Sequence, residues 1–369
     1  MKDLFKIAET ADGLSNDEIA KTLEGALAAW EAEKGPVRNA LVIPPDFTRF
    51  HSNAGFITQV FYRLLTAKGA NVDVLPALGT HVPVSAEQWP VMFGDIPYSK
   101  MIVHNWRTDV VKLGEVPADE IKRISGGLWT DPVDVEVNRL LMDEKYDLIV
   151  SPGQVVPHEV IGMANHAKNI FVGVGGSDMI NKSHMIGAVC GLEQAMGRDH
   201  TPVRQIFDYA FEHFVAHRPI LWVLTVNTAP GGKIHSHGLF VGQGRNCLTA
   251  AVKLAQEKNV DYVEHGLKKC VVYLDGSEFK TTWLGNKAIY ARAWRWPTAA
   301  SSSSSPRPST ASARTRRSTG SSASTATRAA STRSRSSAGR TRTTCARIWA
   351  RRPTSSTARP TDASRSPTA

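Results

Sequence analysis

Apolar residues in the first 290 positions follow two patterns that alternate along the chain. Short apolar runs predict buried strands, at residues 41–43, 72–75, 147–150, 170–172, 221–226 and 271–274. Apolar residues spaced by three and four predict helices, at residues 16–30, 56–64, 186–195, 203–214 and 248–256. Asn16 can cap the first of these helices. Strands that alternate with helices indicate a mostly parallel sheet covered on both faces, so we predict an α/β fold.

The composition changes abruptly after Trp296. The remainder consists mainly of Ser, Thr, Arg, Ala and Pro, and Ile348 and Trp349 are almost its only large apolar residues. Such a segment buries too little apolar surface to offset its chain entropy, so we expect residues 293–369 to form a disordered tail. We favour a more specific hypothesis, in which the tail is a frame-shifted translation of a GC-rich gene. Codons can be chosen for residues 292–305 whose other frame encodes a helix end, a glycine stop and a buried strand.

The net charge of +10 comes from this tail. Residues 298–369 contain 14 Arg, no Lys and one acid, so they carry +13 and the first 297 residues carry −3. The part of the chain with an α/β pattern is therefore mildly acidic, and we predict no nucleic-acid partner.

The four cysteines lie far apart and have no CxxC spacing. This argues against a disulfide framework and a thiolate zinc site, and it suits a reducing cytosol. The N-terminus lacks the apolar region of a signal peptide, and no run reaches the roughly 18 apolar residues of a membrane span. We therefore expect a cytoplasmic protein that does not contact a membrane.

The first loop with candidate chemistry follows the strand at residues 41–43. Asp46, Thr48 and Arg49 lie within four residues, and together they can bind a hydroxy acid or a ribose and clamp a carboxylate. The alternative is a turn in which Asp46 caps the next helix and Arg49 is solvated.

A second loop, which contains Gly79 and His81, follows the strand at residues 72–75. Gly79 allows a tight turn, and His81 could act as an acid or base near neutral pH. A surface histidine with no catalytic role is the alternative.

The third loop region, residues 158–184, is the richest in polar groups. His158, His166, Lys168 and His184 surround a glycine-rich turn whose Gly175 and Gly176 could cradle a phosphate with their backbone N–H groups. We expect His184 at the start of the next helix, where its imidazole could bind a metal. The GxGxxG, P-loop and HExxH motifs are absent, which disfavours an ordinary dinucleotide fold, an NTPase and a zincin.

Taken together, these residues resemble the nickel-dependent lactate racemase (LarA-like) family. The likeness covers roughly residues 38–290 and is carried by residues 46–49, residues 79–81, His158, Lys168 ten positions later and His184 sixteen positions after that. In that family a nickel-pincer nucleotide is attached covalently to a lysine. The resemblance implies that Lys168 is this lysine and that His184 completes the nickel coordination. It also implies paired acid/base histidines, His81 and His158, with Asp46, Thr48 and Arg49 in the pocket for cofactor and substrate.

The resemblance also implies a domain organisation of two α/β domains with mostly parallel sheets. Residues 1–262 would be the cofactor and catalytic domain, residues 263–292 would begin a truncated second domain, and residues 293–369 would be the tail. In the second domain a lysine helps to bind the substrate carboxylate, and Lys287 is the best match. The residues before Lys168 and around Lys287 differ from the lactate-type pattern, which suggests a bulkier substrate such as a sugar acid and makes His166 a further pocket residue or a solvated one.

The resemblance thus implies an isomerase that racemises or epimerises C2 of a 2-hydroxy acid. Hydride transfer to an electron-poor pyridinium avoids a carbanion beside an ionised carboxylate, and the paired histidines would serve the two enantiomers. The expected partners are this small-molecule substrate and the proteins that make the cofactor, and a homo-oligomer is left open. Two alternatives are an inactive, nucleotide-binding protein without its second domain, and a metal hydrolase that uses His81, His158 and His184.

Overall fold

The computed structural model describes residues 1–263, Val272 and the segment Thr343–Ala346. Seven α-helices lie in the described residues: α1 Asn16–Lys34, α2 Ala54–Ala67, α3 Gln88–Phe93, α4 Ala118–Ser125, α5 Ser177–Cys190, α6 Pro202–Ala210 and α7 Arg245–Asn259. The described strands are β1 Leu4–Ile7, β2 Asn39–Val42, β3 Asn71–Val74, β4 Val110–Val116, β5 Val133–Asn138, β6 Leu148–Gln154, β7 Pro157–His158, β8 Gly162–Met163, β9 Ile220–Thr228, β10 His235–Gly242, β11 Val260–Val263 and β12 Thr343–Ala346.

The central sheet has six strands in the order β1-β10-β9-β6-β2-β3. The four strands β9, β6, β2 and β3 are mutually parallel, whereas β10 pairs antiparallel with β9 and β1 pairs antiparallel with β10. The chain passes from β2 to β3 on one side and later crosses to β6 on the other side of β2. The carboxyl ends of β2 and β6 therefore flank a topological switch point, where open α/β sheets bind their ligands.

Side chains of the parallel strands alternate between two apolar layers. Val42 and Val150 point to the layer that α1 and α2 cover, and Leu41 and Ile149 point to the layer that α5, α6 and α7 cover. All four side chains are fully buried. The α/β fold with a mostly parallel sheet that the sequence predicts is confirmed.

Helix α1 begins as the sequence predicts, but its cap is different. Ser15, not Asn16, is the N-cap, because its hydroxyl accepts the Glu18 N–H while the Glu18 carboxylate accepts the Ser15 N–H. This reciprocal pair is a capping box. The apolar positions Ile19, Leu23 and Trp30 of this helix are buried, as expected.

The predicted strand at residues 170–172 is wrong. These residues belong to a π-helical turn, Asn169–Gly173, which follows Lys168 directly. Three successive apolar residues fit a helical turn as well as a strand, so periodicity could not distinguish the two. The sequence interpretation also missed the antiparallel strands β10 and β1 of the central sheet and the separate two-stranded sheet of β4 and β5.

Apart from Val263 and Val272, three predicted features fall outside the described residues: the strand at 271–274, the second domain at 263–292, and Lys287. Within the tail that we expected to be disordered, Thr343–Ala346 forms a strand that pairs antiparallel with Val260–Val263. Among the described residues, none of the helices combines the length and the apolar character of a membrane span.

Candidate functional site

The loops that follow β2, β3 and β6 meet at the carboxyl-terminal edge of the sheet and carry most of the predicted site residues. The Gly79 N–H donates to the Gly173 carbonyl at 2.8 Å, so the loop of His81 packs against the π-helical turn that follows Lys168. Gly79 has a φ of +55°, a conformation that favours glycine. The structure therefore brings the chain around His81 and the chain after Lys168 into direct contact.

Asp46 and His81 form a hydrogen-bonded pair at this edge. His81 Nδ1 lies 2.5 Å from Asp46 Oδ2. Asp46 also accepts from the Thr48 hydroxyl at 2.7 Å, and the Arg49 Nη1 donates to the same hydroxyl at 2.9 Å. Four predicted site residues thus form one connected cluster, which joins two loops that are 35 residues apart in the chain.

The position of Asp46 explains why it does not cap the next helix. Asp46 occupies the N-cap of the 3₁₀ helix Phe47–Ser52, but its side chain makes no capping hydrogen bond. Both carboxylate oxygens instead face His81 and Thr48. The Asp46 side chain therefore does not cap the next helix, which was the alternative interpretation of this residue.

Asp46 is 4% exposed, yet its carboxyl is a stronger acid than an ordinary aspartate. Burial alone would raise the pKa of the Asp46 carboxyl, but the hydrogen bond and charge of His81, the charge of Arg49 and the Thr48 hydroxyl outweigh it. The pKa of Asp46 is therefore lowered overall. An ionised Asp46 can only accept, so His81 Nδ1 carries the hydrogen of this contact, and the Nε2 atom is the one that can exchange a proton with a ligand.

The 3₁₀ helix that carries Thr48 and Arg49 is fastened to β9 by two residues that the sequence analysis missed. The Asn227 amide donates to the His51 carbonyl at 3.0 Å, and the Thr225 hydroxyl donates to the Ser52 carbonyl at 2.8 Å. Both side chains are buried. These contacts join positions more than 170 residues apart, so no local sequence signal announces them.

His158 lies on a tight hairpin between β7 and β8, after the end of β6. Its Nδ1 accepts hydrogen bonds from the backbone N–H of Val160 at 3.1 Å and of Ile161 at 3.4 Å. The Glu159 carboxylate lies 3.7 Å from the same nitrogen. The His158 side chain is 14% exposed, so it is largely covered by the protein.

Lys168 is half-buried and sits immediately before the π-helical turn. The next residue, Asn169, is buried, and its amide donates to the Ile43 carbonyl and to the Ser151 hydroxyl, both at 2.9 Å. Ile43 directly follows β2 and Ser151 lies in β6, so this amide connects the chain at the ends of both strands, at the switch point. Single π turns inside proteins are frequent at functional sites. Asn169, which the sequence analysis missed, therefore fixes the backbone next to Lys168.

His166 is neither a pocket residue nor a solvated one. Its ring is buried and stacks on Trp222 with centroids 4.1 Å apart. Burial, together with the charges of Arg204 and Arg245, lowers the pKa of His166 well below its usual value. Asn165 and His166 both have a positive φ, an unusual conformation for residues other than glycine.

Arg204, which is fully buried, holds this strained loop. Its Nη2 donates to the carbonyls of Met163 at 2.6 Å and Asn165 at 3.2 Å. Burial lowers the pKa of Arg204 to about 10. Strained backbone that the surroundings hold in place is common at ligand sites.

Gly175 and Gly176 are packed against β5 and its neighbourhood. The Gly176 N–H donates to the Glu136 carbonyl, and a side chain at Gly176 would collide with the Glu136 carboxylate. Gly175 forms a bridge with Val137, and its carbonyl accepts from His104 at 3.1 Å. Close packing is enough to explain both glycines, and the predicted phosphate contact stays a prediction.

His184 is in the middle of α5, not at its start as the sequence suggested. The helix begins seven residues earlier, at Ser177. His184 Nδ1 donates to the Ile180 carbonyl at 2.6 Å, which places the lone pair of a neutral ring on Nε2. Metal-binding histidines commonly have this arrangement. One turn further along α5, Gly187 approaches Val160 on the hairpin of His158.

The residues at the switch point indicate the general class of this protein. This is an α/β protein whose switch point carries a carboxylate–histidine pair, an arginine and a lysine, groups suited to binding and transforming a small acid. Residues 15–197, about half of the chain, match the lactate racemase N-terminal domain. The chain belongs to the lactate racemase-like (LarA-like) family.

Two solved structures resemble the chain. A structural-genomics crystal structure of a protein from Thermotoga maritima matches with a TM-score of 0.68 and 21% identity, over 77% of this chain and 69% of that one. The lactate racemase apoprotein from Thermoanaerobacterium thermosaccharolyticum matches with a TM-score of 0.48 and 18% identity, over 67% of this chain. The chain spans 56% of that lactate racemase. No curated protein sequence matches the chain.

Proposed function

We propose that this chain is a racemase or epimerase that inverts C2 of a 2-hydroxy acid. The observation that carries the proposal is the buried Asp46 carboxylate paired with the partly exposed His81, with Arg49 beside them, in a lactate racemase-like domain. Oxidation of a 2-hydroxy acid at C2 requires a group that accepts the hydroxyl proton. A histidine held by a buried carboxylate is such a group.

His81 would accept this proton on Nε2, because its Nδ1 is committed to Asp46. Asp46 would stay ionised throughout, since its pKa is lowered, and it would stabilise the imidazolium that forms. The proton would return from Nε2 to the C2 oxygen when the alcohol forms again. The cycle would therefore restore the starting state of the pair.

Arg49 would bind the substrate carboxylate. The Thr48 hydroxyl accepts from one of its guanidinium nitrogens, which orients the group beside the Asp46–His81 pair. A guanidinium binds a carboxylate through two parallel hydrogen bonds, and this would fix C2 relative to His81. Lys287, which lies outside the described residues, would provide a second contact.

The described residues fit a nickel-pincer nucleotide held by Lys168 and His184. The backbone beside Lys168 is fastened at the switch point, and the hydrogen bond from His184 to Ile180 leaves Nε2 as the metal-binding nitrogen. When bound, this cofactor supplies an electron-poor pyridinium ring that takes a hydride from C2 and returns it. Among the described residues, no three His, Cys, Asp or Glu side chains converge as a metal site, so most ligands of a metal here would come from the cofactor.

That same finding weighs against the hydrolase alternative, which requires His81, His158 and His184 to bind one metal ion. The nucleotide-binding-only alternative differs in a measurable way. It predicts a modified Lys168 in a chain that does not turn over any 2-hydroxy acid.

The test is a panel of 2-hydroxy acids that includes lactate, malate and aldonates. The chain is co-expressed with the cofactor-making enzymes, and inversion at C2 is followed by chiral chromatography. We expect His81→Gln to lower kcat by roughly 100- to 10,000-fold, and Arg49→Gln mainly to raise KM. His217→Gln and Arg63→Gln, which change exposed residues, are the matched controls. Undiminished inversion by His81→Gln would contradict the proposal, as would a zinc-dependent hydrolysis that survives Lys168→Ala.

A further inference from the structure

We propose that His104 is a positioning residue, which holds the short connection between the turn after Lys168 and the helix of His184. This connection, residues 174–176, follows the π-helical turn directly and ends where α5 begins at Ser177. We call it the link. The use of this geometry, to hold a cofactor between a lysine and a histidine, rests on the proposed function.

The backbone of the link is held on one side by β5. The Asn138 N–H donates to the Val174 carbonyl at 2.7 Å, and the Gly176 N–H donates to the Glu136 carbonyl at 3.2 Å. Neither contact involves the Gly175 carbonyl, which lies between them. Because Gly175 is buried, its carbonyl needs a partner within the protein.

His104 supplies that partner from the segment between α3 and β4. Its Nε2 lies 3.1 Å from the Gly175 carbonyl oxygen, and the residue is 4% exposed. Two positions before His104, the Ile102 N–H donates to the carbonyl of Val74, the last residue of β3, at 2.8 Å. The link is therefore attached to β5 and, through His104, to the edge strand of the central sheet.

A series of hydrogen bonds fixes which nitrogen of His104 carries the proton. The Leu140 N–H donates to Asn138 Oδ1 at 3.0 Å, so the nitrogen of this amide is free to donate on its other side. That nitrogen lies 3.0 Å from His104 Nδ1, which must accept. The ring proton then lies on Nε2, where it is donated to the Gly175 carbonyl.

The surroundings of His104 favour this neutral ring. Burial lowers the pKa of His104, and the opposing effects of the Gly175 carbonyl and the Asp109 charge do not outweigh it. A charged ring would carry a second proton on Nδ1, where the Asn138 amide already donates. The contact with Gly175 is therefore made by a neutral imidazole with its proton on Nε2.

The contact matters for the candidate site because the link is short. His184 lies sixteen positions after Lys168, and the chain between them consists of the π-helical turn, the link and the first part of α5. Asn169 fastens the turn to the sheet, and α5 is a regular helix. A change in the link would therefore move His184 relative to Lys168 and weaken its ligation of a metal in a loaded chain.

The first experiment compares His104→Leu and His104→Gln with the original chain, without cofactor, by hydrogen exchange. Leucine removes the donor to the link, whereas a glutamine amide can replace it. We expect residues 173–177 to exchange faster in His104→Leu and at nearly the original rate in His104→Gln. The control is Tyr146→Phe, which removes a hydrogen bond shortly before β6 and should not change the exchange of these residues.

The second experiment measures the release of nickel to a chelator after co-expression with the cofactor-making enzymes. We expect release to be about tenfold faster from His104→Leu, and close to the original rate from His104→Gln and Tyr146→Phe. A folded His104→Leu that exchanges and releases nickel like the original chain would overturn the proposal. Equal losses in His104→Leu and His104→Gln would also overturn it, because the hydrogen bond would then not be the cause.

A third measurement uses the original chain and does not require His104→Leu to fold. It is a long-range ¹H–¹⁵N spectrum of ¹⁵N-histidine-labelled protein at neutral pH, with the ring assigned by the signals that vanish in His104→Gln. We expect the proton on Nε2, and a proton on Nδ1 would overturn the proposal. If His104→Leu accelerates exchange in the link but Lys168 never carries cofactor, the proposed function is wrong and His104 still holds the link.

Discussion

A buried carboxylate such as Asp46 keeps its charge only through its partners. Burial penalises the ionised form, and the contacts with His81, Arg49 and Thr48 more than compensate for it. Because the folded-state pKa lies below the unfolded value, the ionised group stabilises the fold above the unfolded pKa. This contribution disappears as the pH falls through the lowered folded-state pKa.

The variant Asp46→Asn tests this balance. At pH 7 we expect it to reduce the free energy of unfolding by about 1–3 kcal/mol, because a charged hydrogen-bond partner of His81 is lost. The difference from the original chain should shrink as the pH falls below about 4, where Asp46 is increasingly protonated in the unfolded state. Urea unfolding at several pH values measures it.

The control is Asp95→Asn, which changes an exposed carboxylate and should alter stability by less than about 0.5 kcal/mol. A deficit of Asp46→Asn that stays constant or grows on acidification would mean that the charge of Asp46 does not support the fold.

At the residue scale, the sequence indicated which side chains carry chemistry but not how they pair. The strand-end positions of Asp46, Arg49 and His81 follow from the parallel-sheet pattern, since such loops meet at one edge. The hydrogen bond between Asp46 and His81 depends on the path of the chain between two separate loops, which no spacing reveals. Arg204 and Asn227 were missed because their partners are backbone carbonyls of distant segments.

At the element scale, the buried amide of Asn169 fastens the π-helical turn after Lys168 to β6 and to the end of β2. The variant Asn169→Leu should lower the free energy of unfolding by about 2–3 kcal/mol, because it removes the donor to Ile43 and Ser151. Hydrogen exchange of residues 166–174 should accelerate in this variant, since the turn loses its attachment to β2 and β6.

Ser151→Ala is the graded control, because it removes one of the two acceptors and leaves the contact with the Ile43 carbonyl. We expect it to cost about 1 kcal/mol and to leave the exchange pattern of the turn largely intact. Equal effects of the two variants would show that the Ile43 contact contributes nothing.

The element-scale errors of the sequence interpretation have a common cause. The run at residues 170–172 is apolar and buried in either a strand or a helical turn, so its period could not be determined from three residues. Helix α5 starts at Ser177 and not near residue 186. The prediction missed its first turns because polar residues such as Lys182 and His184 interrupt the apolar pattern there. The prediction that His184 lies on a helix was therefore correct, but its predicted position at the start of that helix was wrong.

At the scale of the whole molecule, the sheet extends beyond the matched family region. Residues 15–197 contain β2, β3 and β6, but β9 lies between β6 and β10 and is almost entirely buried. The parallel strands were predictable from their apolar runs. The antiparallel edge was less so, because β1 exposes Phe5 and Ile7 and β10 contains polar positions that resemble a loop.

This topology predicts which fragments fold. The fragment 1–262 retains all six strands of the central sheet and should unfold in one cooperative urea transition. The fragment 1–219 lacks β9 and β10, leaves the edge of β6 unpaired and should show no such transition. A cooperative transition in the shorter fragment would contradict the domain boundary near residue 262.

The central claim is that Lys168 carries a nickel-pincer nucleotide beside the Asp46–His81 pair. The most direct measurement is peptide mass mapping and nickel analysis of the chain after co-expression with the cofactor-making enzymes, with Lys168→Arg in parallel. We expect a mass increment confined to the Lys168 peptide and about one nickel per chain, both lost in Lys168→Arg. An unmodified Lys168 in folded protein without nickel, or an increment on another peptide, would contradict it.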